Sequence, residues 1–81
     1  MAPERTTGEE LDTVRRRVGI GLTDLWVDYL GLGGTESPAS VDAYLNGRPS
    51  LDSMQHDVLA HAINEVAIEQ GLNHPAPYIR G

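Results

Sequence analysis

LDSMQHDVLAHAINEVAIEQGL, residues 51–72, is the longest run with helical periodicity in the chain and carries both a start and a stop signal. Met54, Val58, Leu59, Ala62, Ile63, Val66 and Ala67 fall on the i, i+3, i+4, i+7 rows that make one apolar stripe. Ser53, or Ser50 one turn earlier, offers a hydroxyl as N-cap. Gly71 stands where a left-handed C′ residue belongs, and Leu72 behind it supplies the apolar contact of a Schellman close. The spacing predicts a rod over residues 53–70, roughly 25 Å long at about 1.5 Å per residue. Shorter elements must pack on it.

Working back from the rod, Ser37-Pro38 opens a third helix, with proline at the first helical position where its missing N–H costs nothing. Val41, Tyr44 and Leu45 face inward, and Asn46-Gly47 stops it, giving 38–46. A second helix over 24–32 starts at Thr23, with Leu22 placed to staple onto Val27, and ends at Gly33-Gly34. Its buried face is Leu25, Trp26, Tyr29 and Leu30. A first helix over 9–18 follows a capping box of Thr7 with Glu10. Its early acids and its late Arg15, Arg16 and Arg17 suit the helix dipole. Residues 1–8 read as a disordered polar tail.

Beyond the rod, NHPAPYIRG holds Pro75 and Pro77 and cannot be helical. It should run extended, near polyproline II, with Tyr78 and Ile79 packing back on the domain. Asn64, polar inside the rod, needs a backbone partner, and the tail can supply one. No segment alternates apolar and polar with β-branched enrichment, so no strand is expected. The fold class is all-α: a small bundle of three to four helices with a long C-terminal helix and an extended Pro-rich tail, one domain over 9–81.

Eighty-one residues allow a single domain. Without cysteine there is no disulfide frame and no thiolate chemistry. Phenylalanine is absent, so the core must be aliphatic around an aromatic anchor, with Trp26 and Tyr44 filling the helix junction. The net charge of −6 repels phosphate backbones and anionic lipid. A small DNA-binding regulator is therefore the lesser alternative: the third helix offers Asp42 and Glu36 and no base-reading arginine, and the 31–37 link exceeds a usual helix-turn-helix turn. No signal-peptide h-region and no membrane-length apolar run occurs, so a cytoplasmic location is expected.

Asp57, His61 and Glu65 recur every four residues and share one helix face. A carboxylate beside an imidazole suits a general base or a metal ligand. The same spacing is an ordinary contact on a solvated helix surface, and that reading is preferred. Neither a catalytic residue, a metal nor a cofactor is expected.

Asp52-Ser53-Met54 resembles the Asp-Ser-Leu/Met signature of acyl and peptidyl carrier proteins, acidic all-helical domains of about this length. That resemblance implies a phosphopantetheine arm on Ser53. Carriers, however, have two further helices after the one that begins at the serine, where this chain has the Pro-rich tail from Asn73. A wider resemblance rests on Leu25-Trp26 and Tyr29, Gly33-Gly34, Ala43-Tyr44-Leu45, His56-Asp57, Leu59-Ala60, Asn64-Glu65 and His74-Pro75. It is similar to small helical domains of actinobacterial regulatory proteins, which occur alone or attached to signalling modules. It implies regulation by protein contact.

The expected function is thus a non-enzymatic protein–protein interaction module in a regulatory or signalling pathway. The contact is expected on the first helix, where Leu11, Val14 and Val18 form a narrow apolar stripe rimmed by Arg15, Arg16 and Arg17. That stripe would pair with its own copy in a homodimer or dock on a protein partner.

Overall fold

Among residues 6–80, which the computed structural model describes, four helices form: α1 (Thr7–Val18), α2 (Leu22–Gly31), α3 (Pro38–Leu45) and α4 (Ser53–Glu69). No strand occurs among the described residues, and the all-α expectation holds. The expected disorder of residues 1–5 lies outside them. Residues 7 and 8 are helix rather than tail.

The start of α3 follows its sequence signal at Ser37-Pro38, and the caps of α1, α2 and α4 lie one or two residues earlier than the sequence indicates. The capping box of α1 is Thr6 with Glu9, not Thr7 with Glu10. The Glu9 amide donates to Thr6 Oγ1 at 3.1 Å, and the Thr6 amide donates to Glu9 Oε1 at 3.1 Å. The earlier start places Gly8 inside α1 against α3, where a Cβ would stand 1.9 Å from the Tyr44 carbonyl oxygen. In α4 the cap is Asp52, whose carboxylate accepts from the Gln55 amide at 2.8 Å. An ionised acceptor at the positive end of the dipole outcompetes the neighbouring serine hydroxyl, and Ser53 becomes the first helical residue. α2 begins at Leu22, so the expected staple fails. Five residues along a helix turn the side chain by about 140°, and Leu22 and Val27 are 37% and 55% exposed.

Gly71 takes φ +84°, Leu72 N–H donates to Ala67 O at 2.9 Å, and Gly71 N–H donates to Ile68 O at 2.9 Å. These are the two bonds of a Schellman motif, as the sequence indicated.

α1 and α2 both pack on α4, and α3 packs across α1 and α2. α4 buries Leu59, Ala60, Ala62, Ile63 and Ala67, small residues that let its neighbours approach. Met54 was expected inward but is 55% exposed, and Val58 and Val66 lie at the margin of the core. Tyr29 rather than Trp26 is the buried aromatic of α2. The long link after α2 wraps its hydroxyl. Tyr29 Oη donates to Gln55 Oε1 and accepts from the amides of Thr35 at 3.2 Å and Glu36 at 3.0 Å. A Cβ on Gly34 would fall 2.4 Å from the Tyr29 ring, so the link needs glycine there.

The apolar stripe of α1 is core, which corrects the expected interface. Leu11, Val14 and Val18 are 0%, 7% and 6% exposed and belong to the same cluster as Leu59 and Ile63. A four-helix body of this size has too little interior to spare one stripe, and α3 and α4 together cover it.

Candidate functional site

Two polar side chains are buried among the described residues, His56 and Asn64, both on α4. His56 Nε2 lies 2.9 Å from the Pro77 carbonyl oxygen. A carbonyl only accepts, so in the neutral ring Nε2 carries the hydrogen and Nδ1 is the acceptor. Tyr44 Oη, 2.6 Å from Nδ1, therefore donates to it, and Thr7 Oγ1 at 2.9 Å donates to the tyrosine oxygen. Burial pushes the Tyr44 hydroxyl above its ordinary pKa of 10.0. The Thr7 hydrogen bond pulls it down, and the Asp57 charge adds to the rise. Both imidazole nitrogens are occupied, by a phenol and by the backbone, so no nitrogen is offered to a substrate.

Asn64 is bound to the tail as expected. Its Nδ2 donates to Ala76 O at 2.9 Å and its Oδ1 accepts from Ala76 N–H at 2.8 Å. The side-chain amide thereby satisfies both backbone groups of one tail residue, at a bend in the chain. The tail lies on its own domain, and Ala76 is 1% exposed.

Asp57, His61 and Glu65 share a face but do not converge. Asp57 is turned to the tail, accepting from the amides of Ile79 at 2.7 Å and Arg80 at 3.0 Å. His61 Nδ1 lies 3.3 Å from Tyr78 Oη, and Nε2 lies 3.4 Å from Glu65 Oε1 with both side chains half exposed. The solvated face anticipated from the sequence is partly roofed by the tail. His74 stands apart, bonded to Asn73 at 3.0 Å. No group of three metal-capable side chains gathers among the described residues.

Ser53 is exposed at the start of α4. After α4 the described residues hold only the tail. The arginines of α1 serve their own helix end. Arg15 Nε donates to Asp12 Oδ1 at 2.8 Å and its Nη1 to Ile20 O at 2.9 Å, while Arg16 Nε takes Asp12 Oδ2 at 2.8 Å. Arg17 is exposed. With their neighbouring stripe buried, Arg15, Arg16 and Arg17 rim no apolar surface.

A polar groove of about 350 Å³ between α1 and α3 is lined by Glu9, Asp12, Thr13, Arg16, Leu45 and Asn46, and the more apolar openings lie elsewhere. One shallow groove of about 600 Å³ runs beside α4, lined by Leu32, Met54, Asp57, Val58, His61 and Arg80. A second, of about 420 Å³, lies between α2 and α3 and is lined by Leu22, Thr23, Trp26, Pro38, Ala39 and Asp42, with Val41 beneath. Trp26 lies half-buried in its wall, held by Nε1 donating to Glu36 O at 3.0 Å. Sequence periodicity assigned Trp26 to the core and so missed this groove. The available signal was Leu22 and Trp26 at i, i+4, flanking rather than joining the buried pair Leu25 and Tyr29.

Comparison of the chain with protein-family models, curated proteins and solved structures finds no match.

Proposed function

We propose that this protein is a non-enzymatic protein–protein interaction module acting in a cytoplasmic regulatory or signalling pathway. The observation that carries the reading is the disposition of its polar groups. Every buried side-chain nitrogen and oxygen among the described residues has a partner inside the fold. The histidine and amide that resemble site residues are spent on holding the tail. Meanwhile Leu22, Val27, Leu30, Met54 and Ile68 stay between 37% and 55% exposed. Leu22 and Met54 line the two open grooves; apolar side chains in such places are what a partner's surface covers, and buried aromatic anchors dominate such contacts. No helix among the described residues is long and apolar enough to cross a membrane.

Light scattering separates a second copy from a different protein as the partner. The direct test places a photo-cross-linking residue at Thr23 in the α2–α3 groove, and separately at Met54 in the α4 groove, in the native cell. One discrete, saturable adduct from one of these positions, lost when a neighbouring groove residue is changed to glutamate, is the expected result. Absence of a discrete adduct from both positions would refute the interaction reading.

A further inference from the structure

The tail is held by its backbone. Asn64 takes both backbone groups of Ala76 at 2.9 and 2.8 Å, and His56 takes the Pro77 carbonyl at 2.9 Å. Asp57 takes the amides of Ile79 and Arg80 at 2.7 and 3.0 Å. Ala76 is the buried tail residue, while Pro77, Tyr78, Ile79 and Arg80 are exposed. This face of α4 therefore reads a peptide through its main chain, with the enclosed methyl of Ala76 fixing the register.

The segment that delivers the tail is strained and carries no core. Residues 68–74 are all exposed, so moving 73 and 74 uncovers no packed side chain. His74 has φ +50°, the one non-glycine residue with positive φ among the described residues. That conformation costs stability in any residue with a Cβ, and Pro75 behind it favours extended backbone at position 74 instead. The Schellman bonds of Gly71 and Leu72 lie before this pivot and do not depend on it. Relaxing His74 to its preferred conformation carries the tail off its own α4 and leaves the helix intact.

We infer that this strip of α4 also takes the tail of a second copy of the chain, in a reciprocal exchange that pivots on His74. The arriving tail is identical, so each bond of the closed monomer is remade in the dimer. The two forms differ in two quantities. Opening releases the strain at both hinges, and closure keeps the effective concentration of a tethered tail, millimolar for a short linker. The native chain is therefore monomeric at micromolar concentration and exchanges tails toward millimolar. This goes beyond the interaction reading: it concerns the covered strip and stands independently of the two open grooves.

Two substitutions at one exposed position test it in opposite directions. His74→Gly adopts the left-handed conformation freely and should keep the tail at home. His74→Val, with a β-branched side chain, resists that conformation and should send the tail out. Sedimentation equilibrium of the full chain, from micromolar to millimolar concentration, reads the dimer. A reciprocal dimer opens two hinges, so its dissociation constant should fall about tenfold or more in His74→Val and rise about tenfold or more in His74→Gly. In a refolded mixture of isotope-labelled and unlabelled His74→Val, nuclear Overhauser contacts should join Ala76 of one protomer to Asn64 of the other. Unchanged amide positions through the four helices verify folding. A dissociation constant that both substitutions move the same way, or that neither moves, would overturn the inference. So would His74→Val staying monomeric at millimolar concentration, or a dimer lacking the contacts between Ala76 and Asn64. A groove adduct in the cell beside any of these results leaves the interaction reading standing, and tail exchange without such an adduct leaves this inference standing alone.

Discussion

Replacing Asn64 tests how the tail is held. The asparagine amide makes two bonds to Ala76, at 2.8 and 2.9 Å, and both residues are fully enclosed. Asn64→Ala removes both partners at once and orphans a buried N–H and a buried C=O. Each unmade bond of this kind costs about 1–3 kcal/mol. Water entering along the tail relieves part of that, so the net loss should be about 2–4 kcal/mol. A chain of this length has only about 4–12 kcal/mol in all at 0.05–0.15 kcal/mol per residue, so the substitution is a large perturbation. With a urea m-value near 1 kcal/mol/M, the unfolding midpoint should fall by about 2 M or more.

The same variant has a second route to relief, which is to release the tail. That would surrender the His56 bond to Pro77 and the Asp57 bonds to Ile79 and Arg80, so amide exchange at Ala76, Ile79 and Arg80 should accelerate ahead of exchange in α4. Asn64→Leu sharpens the test. It is more apolar than alanine and excludes the rescuing water, so it should destabilise at least as much as Asn64→Ala. Burial alone would rank the two the other way. A leucine variant as stable as the parent, or an Ala76 amide still protected in the alanine variant, would refute this account of the tail.

Three further outcomes follow from the interior. Leu11→Ala should cost about 2–4 kcal/mol by chemical denaturation, because the side chain is wholly buried; a loss under 0.5 kcal/mol would return the α1 stripe to the surface. Gly8→Ala should destabilise by about 2 kcal/mol or more, although helix propensity by itself favours alanine by about 1 kcal/mol, since the new Cβ would meet the Tyr44 carbonyl at 1.9 Å; calorimetry showing a gain would contradict that contact. Tyr44 holds its proton more tightly folded than unfolded, so its contribution is whole below pH 10 and is lost as pH rises through the raised folded value. Stability should therefore fall above pH 10 by up to about 1.4 kcal/mol per pH unit, and Tyr44→Phe should flatten that slope in urea melts at successive pH values.

The elements were legible wherever a local rule decided them. Ser37-Pro38, Asn46-Gly47 and Gly71-Leu72 act through the few backbone bonds beside them, and α3 and the end of α4 lie where those signals put them. The caps slipped by one residue where two candidates stood side by side, Thr6 with Thr7 and Asp52 with Ser53, and where packing of Gly8 on Tyr44 chose between them. The surface was harder to read. A narrow stripe such as Leu11, Val14 and Val18 looks the same in sequence whether a partner or the chain itself covers it. Only the placement of α3 and α4 decides. Trp26 failed for the converse reason: a large aromatic beside a core row looks buried until the neighbouring helix is seen to leave a gap at Leu22 and Pro38.

The tail, expected to run extended, bends at Ala76 and Ile79 and takes φ +50° at His74, and it poses the question of why a non-helical segment covers α4 there rather than another helix. The covered strip contains His56 and Asn64, and both need partners once they leave water. A helix packed on them would bring its middle turns, whose amides and carbonyls are already bonded to one another. A non-helical, proline-containing segment has no helical backbone bonds to lose, and its remaining N–H and C=O groups are free to meet side chains. The tail uses them as it runs back along α4: both backbone groups of Ala76 meet Asn64, the Pro77 carbonyl meets His56, and the Ile79 and Arg80 amides meet Asp57. Pro75 and Pro77 have no N–H to satisfy, which leaves fewer donors to pair over a strip that offers few acceptors. The polar residues of α4 thus specify what kind of segment can cover them, much as the apolar ones specify the helices.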